Sequence, residues 1–134
     1  MKTIFIDTSA FYALLNRDDP HHQEAAAIYQ NNSHLFVTTH TVFTELLSLL
    51  TKRHSKAIAV RHGKEIRATR ERLRIVHLDE SQCERAWDIF CKFKDKDYDL
   101  ADCLSFICMK DQDIREAFAY DKHFTQYGLE IVTS

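Results

Sequence analysis

Glycine and proline are nearly absent from this chain of 134 residues, which has two of the first and one of the second. That scarcity excludes fibrous repeats and Pro/Gly-rich disorder, and 45% hydrophobic with 28% charged residues is an ordinary globular composition. No apolar run approaches the roughly 20 residues of a membrane span, and no basic segment followed by an apolar core opens the chain, so a soluble, cytoplasmic protein is expected. Cys83, Cys91, Cys103 and Cys108 form no C-x-x-C pair and have no closely spaced His. A zinc centre and a disulfide framework are therefore set aside, and all four are expected to be buried thiols. An RRM-like aromatic signature is missing too. The length suits one domain, residues 1–134, around one core.

A strong net charge is also lacking, at -2, but its distribution is uneven. Lys52 to Arg74 carries nine Lys or Arg against two acids, leaving 9 basic and 18 acidic residues elsewhere. Such asymmetry can separate a phosphate-attracting edge from a cation-attracting one.

Hydrophobic periodicity alternates between strand and helix. Thr3 to Ile6 reads as a buried strand, and "SAFYALLN" as a short helix. "DDPHHQEAAAIYQN" reads as a second helix, with Asp19 as N-cap and Pro20 at the first helical position. "HLFVTT" is a strand, and "TVFTELLSLLTKR" a helix with Phe43, Leu46, Leu47 and Leu50 on one face. Lys56 to about Arg72 reads as a helix whose apolar sector holds Ile58, His62, Ile66 and Leu73, with Lys64, Arg67, Arg70 and Arg74 opposite. "RIVHL" is a strand, "SQCERAWDIFCKF" and "DLADCLSFICMKD" are helices, and "AFAY" and "EIVT" are short closing strands. The alternation predicts an α/β fold with a mostly parallel central sheet of about five strands flanked by helices.

In such a sheet, sites form beyond the carboxyl ends of the strands. Asp7 follows "IFI" and Asp121 follows "AFAY", each where an apolar strand gives way to polar sequence. Glu45 interrupts an apolar helix, and Asp102 falls at the third position of a helix that Asp99 can cap. Each acid taken alone reads as a cap or a solvated position. As a set converging on one sheet edge they repel one another unless a cation sits among them, and hard oxygen ligands select Mg²⁺ or Mn²⁺. Such metals serve phosphoryl chemistry.

"FIDTSAF", "FTELLSLL", "DLADCLSF" and "AYDKHF" resemble the four motif blocks of PIN-domain ribonucleases, in the order found in the toxins of VapC-like toxin–antitoxin pairs. The resemblance spans nearly the whole chain. It implies a PIN-like fold and a Mg²⁺-dependent endoribonuclease in which Asp7, Glu45, Asp102 and Asp121 are the acidic metal ligands. It further implies products with 5′-phosphate and 3′-hydroxyl ends, a homodimer and a small cognate antitoxin. Many relatives have Ser where this chain has Asp99, which leaves Asp99 as a helix cap or as a fifth carboxylate for a second metal. Thr8 and Ser9 match hydroxyls that support the site or cap a helix, and His123 matches a position read as structural. The stripe Lys64, Arg67, Arg70 and Arg74 is either a solvated surface or an RNA-backbone contact.

Two other readings compete. A response-regulator-like signalling domain is also small, doubly wound and acidic at its pocket, but its paired acids do not fit here: Asp18 and Asp19 lie past the first helix, and the third strand leads to Asp79 and Glu80. A PIN-like domain that binds RNA without cutting it is the other, and retention of all four acids weighs against it.

Overall fold

The computed structural model describes residues 1–31 and 33–132. Five strands and seven helices follow one another as β1 (Lys2–Ile6), α1 (Thr8–Leu15), α2 (His22–Gln30), β2 (His34–Thr39), α3 (His40–Arg53), α4 (Lys56–Ala68), β3 (Leu73–Val76), α5 (Glu80–Lys92), α6 (Leu100–Asp111), β4 (Glu116–Phe118), α7 (His123–Gln126) and β5 (Glu130–Ile131). The strands form one sheet in the order β3-β2-β1-β4-β5, and every ladder is parallel. Among the described residues, no helix is long and apolar enough to cross a membrane.

β1 is central, and Ile4, Phe5 and Ile6 are fully buried, as a parallel strand covered on both faces requires. From β1 the chain winds outward through β2 to β3, then returns to lay β4 on the other side of β1. The strand order therefore reverses between β1 and β4, and the crevice beyond their carboxyl ends is the place where such sheets hold ligands. The backbone N–H of Asp7 donates to the Phe118 carbonyl (3.0 Å), which ties the first residue after β1 to the end of β4.

α6 supplies much of the packing. Phe106 stacks on Tyr127 with ring centroids 4.1 Å apart and meets Tyr98 and Phe124 edge-on at 5.1 and 5.4 Å. α3 and α4 pack closely where Gly63 faces Leu47: a Cβ on Gly63 would lie 3.3 Å from the Leu47 Cδ2.

Several sequence expectations are corrected. The helix from Lys56 ends at Ala68, not near Arg72, because the Thr69 hydroxyl donates to the Glu65 carbonyl (2.6 Å) and Arg72 N–H to the Thr69 carbonyl (3.2 Å), closing a turn. Leu73 then pairs with Phe36 of β2. Long-range pairing thus takes residues that the helical periodicity had claimed. Asp19 and Pro20 sit in a turn, where an Asp19 carboxylate oxygen accepts the His21 N–H (2.8 Å), and α2 begins at His22. Cys103 and Cys108 are buried, but Cys83 and Cys91 are exposed on α5, two turns apart on its outer face. The four-residue α7 has no counterpart in the periodicity of the sequence. "EIVT" is represented by Glu130–Ile131, and its Thr133 lies outside the described residues.

If Phe106 anchors the core as these contacts indicate, Phe106→Ala should lower unfolding free energy by about 3–5 kcal/mol in a urea titration. A loss below about 1 kcal/mol would show that the aromatic cluster repacks around the cavity.

Candidate metal centre

Asp7 occupies the N-cap position of α1, yet its carboxylate makes no capping hydrogen bond. A strand-end acid that caps nothing and is only 7% exposed is an unfavourable arrangement unless something else uses the charge. Burial pushes its pKa well above the ordinary carboxylate value, and the Asp121 charge pushes it further. A hydrogen bond between the two carboxyls adds to this, and only the neighbouring Thr8 N–H opposes it. In the absence of a cation the site therefore favours the protonated form of Asp7.

Asp102 arrives from the other side, on the first turn of α6. Its backbone N–H donates to Asp99 Oδ1 (2.8 Å), and its own Oδ2 accepts the Asp99 N–H (3.1 Å), a reciprocal capping box. The box fixes the Asp102 side chain without using its second oxygen. Burial and the Asp99 charge raise its pKa to about 7, against opposing contributions from the Asp99 N–H and His123. Asp99 is thus a helix cap, and it also lines the same cleft.

His123 follows Asp121 by two residues at the start of α7. Its Nδ1 lies 2.8 Å from Asp102 Oδ2, but the approach is not in line for a hydrogen bond, so the nitrogen is close without being bonded. One ligand atom from each of Asp102, Asp121 and His123 falls within 4.8 Å of the others, a spacing that fits a shared cation. Glu45 reaches the cleft from α3, where it is held by the Thr8 hydroxyl, which donates to its Oε1 at 2.6 Å. The Ser9 hydroxyl approaches Asp7 Oδ2 at 3.4 Å and accepts the Tyr120 N–H at 2.9 Å, bracing the Asp7 and Asp121 loops against each other.

One open cleft of about 390 Å³ is lined by Asp7, Thr8, Ser9, Glu45, Asp99, Asp102, Asp121 and His123. Every acid singled out in the sequence is brought here. The structure adds Tyr12, His21, Arg53 and Tyr120 as walls; of these only Tyr120 lies in a quoted motif block, "AYDKHF", where it directly precedes Asp121. His123, read as structural, is drawn into the site; its D-x-H spacing after Asp121 was the available signal. The basic stripe is not brought to the cleft. With the helix ending at Ala68, Arg70 falls in a turn and Arg74 on β3. Arg67, Arg70 and Arg74 line a different groove, and Lys64 borders another with Arg67.

The raised carboxyl pKa values carry a sign. Asp102 titrates at about 7 in the fold and near 3.8 when unfolded, so between about pH 4 and pH 7 the folded state holds more protons. Metal-free stability should therefore fall as pH rises through that window and flatten above it, with Asp7 acting in the same direction. Urea midpoints measured in EDTA across that range should show this fall, and Asp102→Asn should make it shallower. Identical pH dependences in the two proteins would contradict the burial of an uncompensated Asp102.

The PIN domain family profile matches residues 4–129. Over 127 residues, 93% of this chain and 94% of the relative, the sequence is 30% identical to the 23S rRNA-specific endonuclease VapC20 of Mycobacterium tuberculosis strain H37Rv. The crystal structure of M. tuberculosis VapC20, described as a sarcin–ricin loop cleaving toxin, superposes with a TM-score of 0.91 at 29% identity, covering 98% of this chain and 99% of that one. FitAcB from Neisseria gonorrhoeae shares the fold at a TM-score of 0.72 and 14% identity, covering 97% of this chain and 96% of the other. With a family match across nearly its whole length and a well-covered relative at 30% identity, the chain belongs to the PIN domain family.

Proposed function

We propose that this protein is a Mg²⁺- or Mn²⁺-dependent endoribonuclease, a single nuclease domain over residues 1–134 that acts in the cytoplasm as the toxin of a toxin–antitoxin pair. The observation that carries this reading is Asp7, a buried strand-end carboxyl that caps nothing and faces Asp121 and Asp102 across the switch point of the sheet. Hard oxygen donors at this density suit a divalent cation of the Mg²⁺ class, which would compete with protons for carboxyls whose pKa values burial raises.

Asp7, Asp102 and Asp121 would hold the cation, with Glu45 completing the acidic set and Asp99 open to a second role beyond its cap. When bound, the cation supplies positive charge beside the phosphate and orients a water for in-line attack on the phosphodiester. Thr8 positions Glu45, and Ser9 positions the backbone between Asp7 and Tyr120. The capping box keeps Asp102 from rotating away from the cleft. Cys103 and Cys108 take no part: burial pushes both thiols up to about 11, which leaves them uncharged and unreactive.

The relative named as a 23S rRNA-specific endonuclease makes ribosomal RNA the first substrate to try, and the description of its crystal structure as a toxin favours a cognate antitoxin. The proposal includes a homodimer and products with 5′-phosphate and 3′-hydroxyl ends, which the motif resemblance implies.

The test is incubation of antitoxin-free protein with 23S rRNA and other structured RNAs in Mg²⁺, Mn²⁺ or EDTA. Cleavage at a discrete site with either metal, and none in EDTA, is expected. Asp7→Asn, Asp102→Asn and Asp121→Asn should each reduce the rate by about 10²-fold or more while the far-UV circular dichroism stays unchanged. Cutting that persists in EDTA, or in all three variants, would contradict the proposal. Binding of RNA without cutting in either metal would instead favour a non-catalytic RNA-binding domain.

A further inference from the structure

A second groove, of about 610 Å³, opens where the N-terminus of α3, the end of α4 and β3 meet. Its polar wall is basic throughout: Arg67, Arg70 and Arg74, with His40 and His77. Phe43 and Ile66 contribute to its apolar floor, and no Asp or Glu lines it. The acid cleft carries the opposite balance, with six carboxylates on its walls against one guanidinium, that of Arg53. Among the described residues, none of the three guanidinium groups lies within ion-pair distance of a carboxylate. Arg74 donates to the Gln112 side-chain carbonyl (2.7 Å), which fixes its direction and leaves its charge uncompensated. The imidazoles of His40 and His77 stack with centroids 4.5 Å apart and planes 25° from parallel, giving a flat wall with ring nitrogens at its edge.

The groove is placed by the same sheet edge that places the acids. The registers Phe5 with Val37 and Thr39 with Val76 put Asp7, Thr39 and Val76 level across three adjacent strands. His40 and His77 are the residues that follow those last two. At about 4.8 Å per strand, the His77 end lies roughly 10 Å along the carboxyl edge from Asp7. That separation corresponds to a few nucleotides of one strand, given about 3.4 Å of helix axis per phosphate.

We propose that Arg67, Arg70 and Arg74, with His40 and His77, form a phosphate-binding groove that holds the RNA backbone at nucleotides beyond the scissile bond. This rests on the reading of the acid cleft as an RNA-cleaving centre. Guanidinium groups without carboxylate partners match phosphate oxygens in geometry as well as charge. A polyanion approaching a cluster of carboxylates also needs compensating positive charge nearby, and this groove supplies it along the line of the sheet edge.

The experiment is fluorescence anisotropy of a labelled RNA stem-loop with wild type, Arg67→Gln/Arg70→Gln and Arg67→Lys/Arg70→Lys, in EDTA across a salt series. Both arginines are exposed, and unchanged melting temperatures confirm that each variant is folded. The Gln variant should bind more weakly, with the slope of log K against log salt shallower by about two units, one for each phosphate no longer neutralised. The Lys variant should restore the slope while recovering only part of the affinity. An unchanged slope in the Gln variant overturns the proposal. So does an unchanged slope accompanied by weaker binding of poly-L-glutamate, which would assign the groove to an acidic protein segment. Cleavage in Mn²⁺, measured alongside, separates the two claims. Cleavage with an unchanged slope removes the groove and keeps the nuclease; a shallower slope without cleavage does the reverse.

Discussion

Mutual repulsion among buried carboxyls is the constraint on which the site depends. Asp7 and Asp102 are each 7% exposed, and burial raises both pKa values before any neighbouring charge is considered. A fold that needed these positions only for capping would leave the charges in water. Asp7 instead caps nothing, and Asp102 caps with one oxygen and leaves the other free. Part of the stability of the surrounding structure offsets the cost of assembling these charges, and under the proposed function a bound divalent cation would turn that cost into binding free energy.

The rest of the architecture serves to hold that arrangement still. β1 is buried on both faces, so the position of Asp7 is set by the rigid centre of the sheet and by its N–H bond to Phe118. α6 carries Asp102 on its first turn and anchors it through Phe106, which packs against Tyr98, Phe124 and Tyr127. α7 and the loop before it bring Asp121 and His123 in beside β4, while α3 brings Glu45 within reach of Thr8. Four separate stretches of chain thus meet at the switch point, and each is fixed by apolar packing behind it.

Much of this was legible in the sequence because it is written in local pattern. "IFI" before Asp7, "HLFVTT" and the heptad-like spacing of Phe43, Leu46 and Leu50 give strands and helix directly, and "DLAD" gives the capping box of α6. The end of α4 was not legible, since the residues from Thr69 to Leu73 continue a helical pattern and only the pairing of Leu73 with Phe36 removes them from it. The basic groove is concealed for the same reason: on a helical wheel Arg70 and Arg74 form a stripe with Lys64, whereas the turn and β3 place them in one groove with His40 and His77. Cys83 and Cys91 misled for a different reason. Cysteine is small and apolar enough to read as core anywhere, and only the side on which α5 packs decides.

The most direct test of the central claim is the rise in melting temperature on adding saturating Mn²⁺ to metal-free protein at neutral pH and fixed ionic strength, for wild type and for Asp7→Asn. A ligand that binds only the native state stabilises it by about 2.7 kcal/mol at a hundred times its dissociation constant. Wild type should therefore gain several degrees and the variant little, even though the variant, relieved of one buried charge, should match or exceed wild type in EDTA. Equal gains in the two proteins would mean that Asp7 does not hold a cation, and the acid cleft would not be a metal centre built on it.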